Sequence, residues 1–203
     1  MAKKSEPDLV LLAFELVAES GWRRLSLAEL ARRAGVPLAQ VYAELPDRAA
    51  LLCRLGRRLD ARMLDLPPTE LDGMTPRERV FELVMRRLDA MAPYKRGLRA
   101  LADEAPLDPT LLAVALCNLQ RLGRWLLDAA GVANGRLVDA VARRVLAAIY
   151  VRAFNVWLRD DTPDLARTLA ELDRRLQQAE RLVGWVHGLR RGRSEPSSAA
   201  AAS

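Results

Sequence analysis

The chain has 203 residues, of which 51% are hydrophobic, and it carries a formal net charge of +6. Such a hydrophobic fraction is ample for a core, while no apolar run approaches the roughly 20 residues that a membrane-spanning helix needs, which excludes a membrane-spanning protein. Ala, Leu and Arg recur throughout, and no stretch alternates apolar and polar positions. The sequence therefore predicts an all-α fold.

The start of the chain, residues 1–7, lacks the apolar core of a secretion signal, so we expect a cytoplasmic protein without stable membrane insertion. In a reducing cytosol, Cys53 and Cys117 are expected to be buried free thiols. The net positive charge favours an anionic partner. Because the charges are spread evenly along the chain, charge alone does not establish nucleic-acid binding.

Capping residues predict four helices in the first third of the chain. Gly21 is expected to end the first helix in a left-handed conformation. Ser26 and Glu29 form a capping box that opens the second helix, which stops at Gly35. The four helices are expected over residues 8–20, 26–34, 37–45 and 47–66.

The remaining helices form a second group. Pro67-Pro68 is the best candidate boundary, because two prolines cannot continue a helix. Thr75 and Glu78 then form another capping box, with Pro76 at the first helical position. Five further helices are expected over residues 76–91, 94–104, 109–130, 134–159 and 162–188. With about nine helices in all, the predicted division is an N-terminal domain at 1–65, a C-terminal helical domain at 66–190 and a disordered tail at 191–203.

The second and third predicted helices form a helix-turn-helix, the unit that places its second helix in the DNA major groove. Ala31 lets the two helices cross closely, and Gly35 supplies the backbone freedom for the turn. Val36 and Val41 are expected to pack back onto the first of the two helices. The more exposed residues of the recognition helix are then Leu38, Ala39, Gln40 and Tyr42.

Four motifs stand in this segment: Ser26 to Val36 (SLAELARRAGV), Val41-Tyr42, Leu45 to Arg48 (LPDR) and Leu51-Leu52. With one helix before them and a long fourth helix after them, they resemble the DNA-binding domain of TetR-family transcriptional regulators over residues 8–65. The resemblance implies a homodimer that binds double-stranded DNA at a palindromic operator. It also implies a repressor that is released by a small hydrophobic ligand held in the C-terminal body.

By the same resemblance, Ser26 and Tyr42 would contact phosphate, and Arg48 would do so from the start of the fourth helix. Gln40 would reach a base edge, where glutamine can pair bidentately with adenine. Phosphate contacts position the helix, whereas base contacts specify the sequence. The DNA-binding set implied in this way is Ser26, Pro37, Leu38, Ala39, Gln40, Tyr42 and Arg48.

Three features depart from the family pattern. Pro37 replaces the usual polar cap of the recognition helix, although proline is tolerated at a first helical position. The recognition helix contains no Lys or Arg, and Glu44 stands where the family commonly has an aromatic residue or histidine near phosphate. A carboxylate there would be repelled. These departures leave a second interpretation open, in which the helix-turn-helix is a structural scaffold that has lost DNA binding.

The last two predicted long helices have apolar faces at helical spacing, for example Leu165, Leu169, Leu172 and Leu176 in the last one. Two such helices can form a four-helix interface across a two-fold axis, which is the arrangement that the TetR family uses for dimerisation, or they can pack within one chain. We expect both, with a homodimer formed through these two helices.

A second resemblance lies in the same region. Tyr150 to Thr162 (YVRAFNVWLRDDT), followed by Thr168-Leu169 and by Leu172 to Leu176 (LDRRL), resembles the C-terminal region of the ubiquinone-biosynthesis accessory proteins. Those proteins share the TetR fold, bind isoprenoid lipids and have lost DNA binding. This resemblance implies the alternative function of an isoprenoid-lipid-binding protein with a vestigial DNA-binding domain.

Both resemblances imply an apolar cavity in the C-terminal body, since ligand pockets are mainly apolar. Apolar residues at helical spacing are also the material of an ordinary core, so the sequence leaves both roles open. The candidate ligand-binding residues are Met85, Leu88, Met91, Leu112, Leu116, Trp125, Tyr150, Phe154 and Trp157. Among them Tyr150, together with Asn155, could supply a polar contact.

The sequence does not predict an enzyme. The single histidine, His187, stands near the end of the last predicted helix, with no metal-ligand neighbour at productive spacing. No phosphate-binding loop, dinucleotide fingerprint or nucleophile motif is present. Adjacent carboxylates such as Asp160 and Asp161 point apart on a helix. We therefore expect no catalytic residues, no metal site and no cofactor.

Overall fold

The computed structural model describes residues 7–67, 69–104, 108–131 and 136–191, with side chains described in these ranges except at 136–138 and 182–191. This part of the chain contains nine α-helices and two short 3-10 helices, Trp22–Arg24 and Ala92–Tyr94. The α-helices are α1 (Leu9–Ser20), α2 (Leu27–Ala34), α3 (Leu38–Glu44), α4 (Arg48–Leu64), α5 (Pro76–Met91), α6 (Lys95–Glu104), α7 (Pro109–Ala130), α8 (Arg136–Trp157) and α9 (Ala166–Arg191). The all-α prediction is confirmed. Residues 192–203 of the predicted tail lie outside the described residues.

The two predicted capping boxes differ in the structure. Thr75 and Glu78 form a complete box at the start of α5, in which each side chain bonds the backbone N–H of the other residue. The box at the start of α2 is only half formed. Ser26 Oγ accepts a hydrogen bond from the Glu29 backbone N–H at 3.4 Å, but the Glu29 carboxylate is bound by Arg32 instead. A nearby arginine is thus a stronger partner for this carboxylate than the backbone amide.

Glycines end α2 and α7 in the left-handed conformation, with φ 68° and ψ 31° at Gly35 and φ 70° and ψ 30° at Gly131. Gly21, after α1, was expected to do the same. It has the positive φ of 88°, but its ψ of 160° leads the chain away from a helical turn and into the segment Trp22–Arg24. The prediction of a glycine stop is correct there, whereas the predicted conformation is wrong.

The last helix begins later than predicted, at Ala166 rather than near Thr162. Asp160 explains the difference, because its buried carboxylate accepts hydrogen bonds from Thr162 Oγ1 at 2.6 Å and from Thr168 N and Oγ1 at 2.9 and 2.7 Å. These bonds fold the connecting segment into a turn before the first residues of α9. Hydrogen bonds from Thr162 and Thr168 also hold the pKa of the Asp160 carboxyl far below its usual range, despite its burial.

One buried apolar core runs through the described chain. Helix α1 packs on α6 so closely that a Cβ atom on Gly97 would collide with the carbonyl oxygen of Phe14. Helix α4 packs on α5 and on α7. The core is therefore continuous across the predicted boundary at residue 65, and the division into domains stays a prediction.

A buried ionic cluster joins α4 to the body. Asp60 of α4 and Arg87 of α5 are only 5% and 4% exposed, and Arg87 Nη1 is ion-paired with Asp60 Oδ1. Arg121 Nε of α7 donates to Asp60 Oδ2 at 2.6 Å, and Arg87 Nε donates to the Tyr150 hydroxyl of α8 at 3.2 Å. Three helices thus meet at the Asp60 carboxylate, and α8 joins the cluster through Arg87, so the cluster helps to fix the position of α4 relative to the body.

Two further features concern the outer surface. Within the ranges that the structure describes, no helix combines the length and the apolar character needed to cross a membrane. Cys53 is half-buried and Cys117 is exposed on α7, and both are free thiols. The prediction that both cysteines are buried is therefore wrong, because no other described helix covers the side of α7 on which Cys117 lies.

Candidate nucleic-acid interface

Helices α2 and α3 form the helix-turn-helix that the sequence predicts. Ala31 is buried where the two helices cross, and the Val36 backbone N–H donates to its carbonyl oxygen at 3.1 Å. Val41 of α3 is fully buried, and Val36 packs against the same core. Gly35, in the left-handed conformation, makes the turn between them. The inner face of α3 is thus held rigidly, which fixes the direction of its outer face.

The outer face of α3 is exposed. Leu38 and Tyr42 are 51% and 64% exposed, and Pro37 and Ala39 are also exposed, whereas Gln40 is half-buried. A shallow apolar groove runs between α2 and α3 and is lined by Leu27, Ala28, Leu38, Ala39 and Tyr42. The structure therefore brings the predicted residues of α3 together on one surface, with a neutral and largely apolar character.

The start of α2 contributes a polar group beside this surface. Ser26 is exposed and caps the helix through its hydroxyl oxygen, which accepts from the Glu29 backbone N–H. The N-terminal end of a helix carries a partial positive charge that favours an anion such as phosphate. The predicted phosphate contact of Ser26 fits this position.

Several arginines around the helix-turn-helix are neutralised by carboxylates, which the sequence did not reveal. Arg33 of α2 forms a bidentate pair with Glu19 of α1, at 2.6 and 2.7 Å. Arg54 of α4 pairs with Glu44 at the end of α3, at 2.7 Å. The Arg33 guanidinium accordingly lowers the pKa of Glu19. These arginines add little to the positive potential of the surface.

Arg48 has a structural role in addition to the predicted one. Its Nη1 donates to the backbone carbonyl oxygens of Trp22 at 3.3 Å and of Arg23 at 3.2 Å, across the turn before α2. The side chain is exposed and guanidinium carries five N–H donors, so a phosphate contact remains compatible with this geometry. Arg23 and Arg24 are exposed beside it. Sequence reasoning missed these two, although they directly precede the helix-turn-helix motif.

The body holds the turn before α2 through two acidic side chains. The Glu104 carboxylate at the end of α6 accepts from the backbone N–H groups of Trp22 at 3.0 Å and of Arg23 at 3.1 Å. Asp108, which caps α7, accepts from Trp22 Nε1 at 3.4 Å. Hydrogen bonds from the Leu111 backbone and from Trp22 lower the pKa of Asp108. The end of α6 and the start of α7 are thus both hydrogen-bonded to the segment that precedes the helix-turn-helix.

The predicted ligand-binding residues fall into two groups. Six lie in or against the packed core between α5 and α8, namely Met85, Leu88, Met91, Tyr150, Phe154 and Trp157. The other three are exposed on α7, where Leu112 is 49%, Leu116 is 58% and Trp125 is 43% exposed. The structure therefore does not bring the nine residues together around one cavity. Asn155 donates to the carbonyl oxygen of Val151 within α8.

The fold is similar to that of solved TetR-family regulators. The TetR transcriptional regulator from Nitrosomonas europaea ATCC 19718 is 26% identical and matches with a TM-score of 0.71, covering 85% of this chain and 95% of that one. A TetR-family regulator from Streptomyces coelicolor is 19% identical, with a TM-score of 0.62 over 95% and 90% of the two chains. A TetR variant from Acinetobacter baumannii AYE in complex with minocycline is 24% identical, with a TM-score of 0.53 over 86% and 95%. The resemblance to TetR-family regulators is thus confirmed, and the chain has a TetR-like fold.

The second resemblance is also confirmed. The sequence model of the COQ9 family matches residues 141–183, which cover most of α8 and the first part of α9. No curated protein matches the chain. Most of the chain therefore has a TetR-like fold, and residues 141–183 also carry the sequence pattern of a second family.

Proposed function

We propose that this chain is a TetR-type DNA-binding transcriptional regulator, a repressor that acts as a homodimer and is released by a small apolar ligand. The observation that carries the proposal is the exposed outer face of α3, with Leu38 and Tyr42 facing solvent beside the capped start of α2. A helix held rigidly on one side and exposed on the other is what major-groove recognition requires.

Recognition by this face would rely on neutral contacts. Gln40 would form hydrogen bonds with adenine, and Leu38 or Ala39 would contact a thymine methyl group. The Tyr42 hydroxyl would donate a hydrogen bond to a phosphate. The exposed Arg23, Arg24 and Arg48 would supply the charged phosphate contacts. Two protomers would then make about six such contacts. The logarithm of the DNA-binding constant should therefore fall with the logarithm of the salt concentration with a slope of about −5.

The dimer is proposed to form through α8 and α9. Val141 and Val145 support this, because both are exposed on the outer side of α8, at 54% and 41%. A two-fold axis beside this helix would bury them against the same residues of the partner. The two recognition helices would then have to lie about 34–36 Å apart to meet successive major grooves.

Ligand release would act through the contacts between body and helix-turn-helix. Helix α7 carries Arg121, which is bonded to Asp60 of α4, and α7 begins at Asp108, which contacts Trp22. Movement of α7 would change both contacts at once. A ligand that favours the moved state would shift the population away from the spacing that fits the operator.

The test is binding of the full chain to its own upstream DNA, followed by fluorescence anisotropy between 50 and 200 mM salt. Tyr42→Ala is expected to weaken binding by about tenfold through one lost phosphate bond and its contact area. Tyr42 is 64% exposed, so the variant should remain folded. Trp125→Ala is the matched control, since it removes an exposed aromatic ring of α7. Absence of DNA binding by the unaltered protein at low salt would refute the proposal.

A second candidate function is supported by the match of the COQ9 family model to residues 141–183. In that case the chain would be an isoprenoid-lipid-binding protein, and its helix-turn-helix would be a scaffold without DNA affinity. The pairing of Arg33 and Arg54 with carboxylates favours this alternative, because it lowers the positive potential near α3. Mass spectrometry would then detect a copurified isoprenoid lipid in a protein that is indifferent to duplex DNA.

A further inference from the structure

Helices α4 and α7 run side by side in the same direction. The Leu52 carbonyl oxygen of α4 accepts from Asn118 Nδ2 of α7 at 3.3 Å. About two turns later, Asp60 Oδ2 accepts from Arg121 Nε at 2.6 Å. Between these bonds, a Cβ atom on Gly56 would lie 2.6 Å from Arg121 Nη2 and 2.9 Å from Asn118 Oδ1. Side chains of α7 therefore rest directly on the backbone of α4.

The two cysteines lie one turn before the contact at Gly56. On α4, Cys53 precedes Gly56 by three positions, and on α7, Cys117 precedes Arg121 by four. Residues at these spacings share one face of a helix. Because Gly56 and Arg121 are in contact, the two cysteines are placed at the same level, side by side along the edge of the contact. Their exposure agrees with this position, since Cys53 is half-buried and Cys117 is exposed, and both are free thiols.

The spacing of the two helices suits a disulfide bond. Helices in close contact have axes about 8–9 Å apart. With a Cα radius of about 2.3 Å, the Cα atoms of two residues beside the contact are then about 6–7 Å apart. A disulfide spans Cα separations of about 4.4–6.8 Å. A small approach of the two helices is therefore enough to close the bond.

The contact next to the cysteines can yield to such an approach. Asn118 Oδ1 and Arg121 Nη2 are buried and, in the part of the chain that the structure describes, have no hydrogen-bond partner. A buried polar atom without a partner costs free energy. A small shift of α4 against α7 therefore breaks no hydrogen bond at these two atoms.

Cys117 faces away from the dimer interface proposed for α8 and α9. Leu119 and Gly123 lie on the side of α7 that faces α8. At about 100° per residue, Leu119 is about 160° and Gly123 about 120° around the helix from Cys117. A small reagent in solution therefore reaches the Cys117 sulfur without displacing α8 or a partner held by α8 and α9.

We propose that Cys53 and Cys117 form an oxidation-sensitive pair, which a low-molecular-weight disulfide such as oxidised glutathione converts into a bridge between α4 and α7. The exposed Cys117 attacks oxidised glutathione as the thiolate, which forms a mixed disulfide and expels one molecule of glutathione. Cys53 then attacks the Cys117 sulfur, which expels the second glutathione and completes the bridge. The two thiols lose two protons and two electrons, and oxidised glutathione is reduced to two molecules of glutathione.

The bridge would add a covalent link between the body and the helix that follows the helix-turn-helix. In the proposed function, α7 moves relative to α4 when a ligand releases the operator. A bridged protein would instead stay in the arrangement described here. This consequence rests on the proposed function, whereas formation of the bridge does not.

Mass spectrometry of the full chain after treatment with oxidised glutathione tests the proposal. The unaltered protein is expected to lose two hydrogen atoms per chain, to retain no glutathione and to yield one linked pair of peptides that contain Cys53 and Cys117. The bridge closes a loop of about 65 residues, so the Tm should rise by about 5–15 °C and return to its original value on reduction. Cys53→Ser should stop at the mixed disulfide, with one glutathione on Cys117.

The matched control is Cys53→Ser/Ala61→Cys, which keeps two cysteines but moves the one on α4 by about two turns, to an exposed position. It should carry two glutathione molecules and form no bridge. Two glutathione molecules on the unaltered protein, without a bridge, would overturn the proposal. A disulfide that joins two chains, seen on a non-reducing gel, would also overturn it. None of these readouts involves DNA, so this proposal and the proposed function can fail separately.

Discussion

Replacement of Asp60 by asparagine is the most informative perturbation of the link between the helix-turn-helix and the body. Asp60 is 5% exposed, and its two carboxylate oxygens accept from Arg87 Nη1 and from Arg121 Nε. Asparagine has nearly the same size but no charge, and its NH₂ group cannot accept a hydrogen bond. The variant Asp60→Asn keeps one acceptor oxygen for the two arginines and no negative charge, so it leaves the Arg87 guanidinium buried and charged without a counter-ion in the cluster.

The size of the effect follows from the burial. Loss of one partner of a buried ion pair typically costs about 3–5 kcal/mol, because the other charge remains away from water. The side chain of Arg87 is 5% exposed, whereas that of Arg121 is 26% exposed and can recover hydration. Most of the cost therefore comes from Arg87. For a chain of this length, such a loss corresponds to a decrease in Tm of about 6–20 °C.

Urea unfolding and thermal unfolding of the full chain measure this cost. The double variant Asp60→Asn/Arg87→Met removes the buried charge as well, so it should be more stable than Asp60→Asn alone. Glu29→Gln is the control, since it breaks the exposed pair with Arg32 and should leave the unfolding transition unchanged. An Asp60→Asn protein as stable as the unaltered one, or a double variant less stable than either single variant, would refute the reasoning.

Two further substitutions test other contacts. Asp160→Asn removes the acceptor of both Thr168 bonds and should cost about 1.5–3 kcal/mol at pH 7. Because the folded pKa of Asp160 is depressed, this contribution is complete above the unfolded value near 3.9 and is lost as the pH falls through the folded value. The difference in the free energy of unfolding between the unaltered protein and Asp160→Asn, measured by urea unfolding, should therefore shrink below about pH 4. A difference that stays constant with pH would contradict this assignment. Gly97→Ala should destabilise by about 1–3 kcal/mol, because its Cβ meets the backbone of Phe14. An unchanged Tm in Gly97→Ala would mean that α1 and α6 are not in such close contact.

Features set by local chemistry could be predicted from the sequence. The capping box at Thr75 and Glu78 involves atoms within one turn, so the start of α5 follows from the residues themselves. The helix-turn-helix is likewise local, since Ala31, Gly35 and Val41 act within a short segment. The start of α9 was misplaced because Thr168, beyond the predicted start, also bonds Asp160.

Features that depend on which helices are neighbours could not be predicted. Periodicity shows that Leu112 and Leu116 share one side of α7, but it does not show whether another helix covers them. The structure leaves this side open, so two residues that the sequence placed in an enclosed cavity lie on an outer surface. The cluster of Asp60, Arg87 and Arg121 was missed for the same reason, because its members come from three distant helices.

The ion pair between Arg54 and Glu44 changes the charge expected at the end of α3. From the sequence, Glu44 counts against DNA binding, because a free carboxylate at the end of α3 would repel phosphate. In the structure Arg54 pairs with Glu44 at 2.7 Å, and the Glu44 side chain is 28% exposed. The pair is close to neutral, so it removes the repulsion and also removes Arg54 as a source of attraction. If the chain binds DNA as proposed, its affinity would then depend on the exposed arginines before α2, and the removal of Arg23 and Arg24 should reduce both the affinity and its salt dependence.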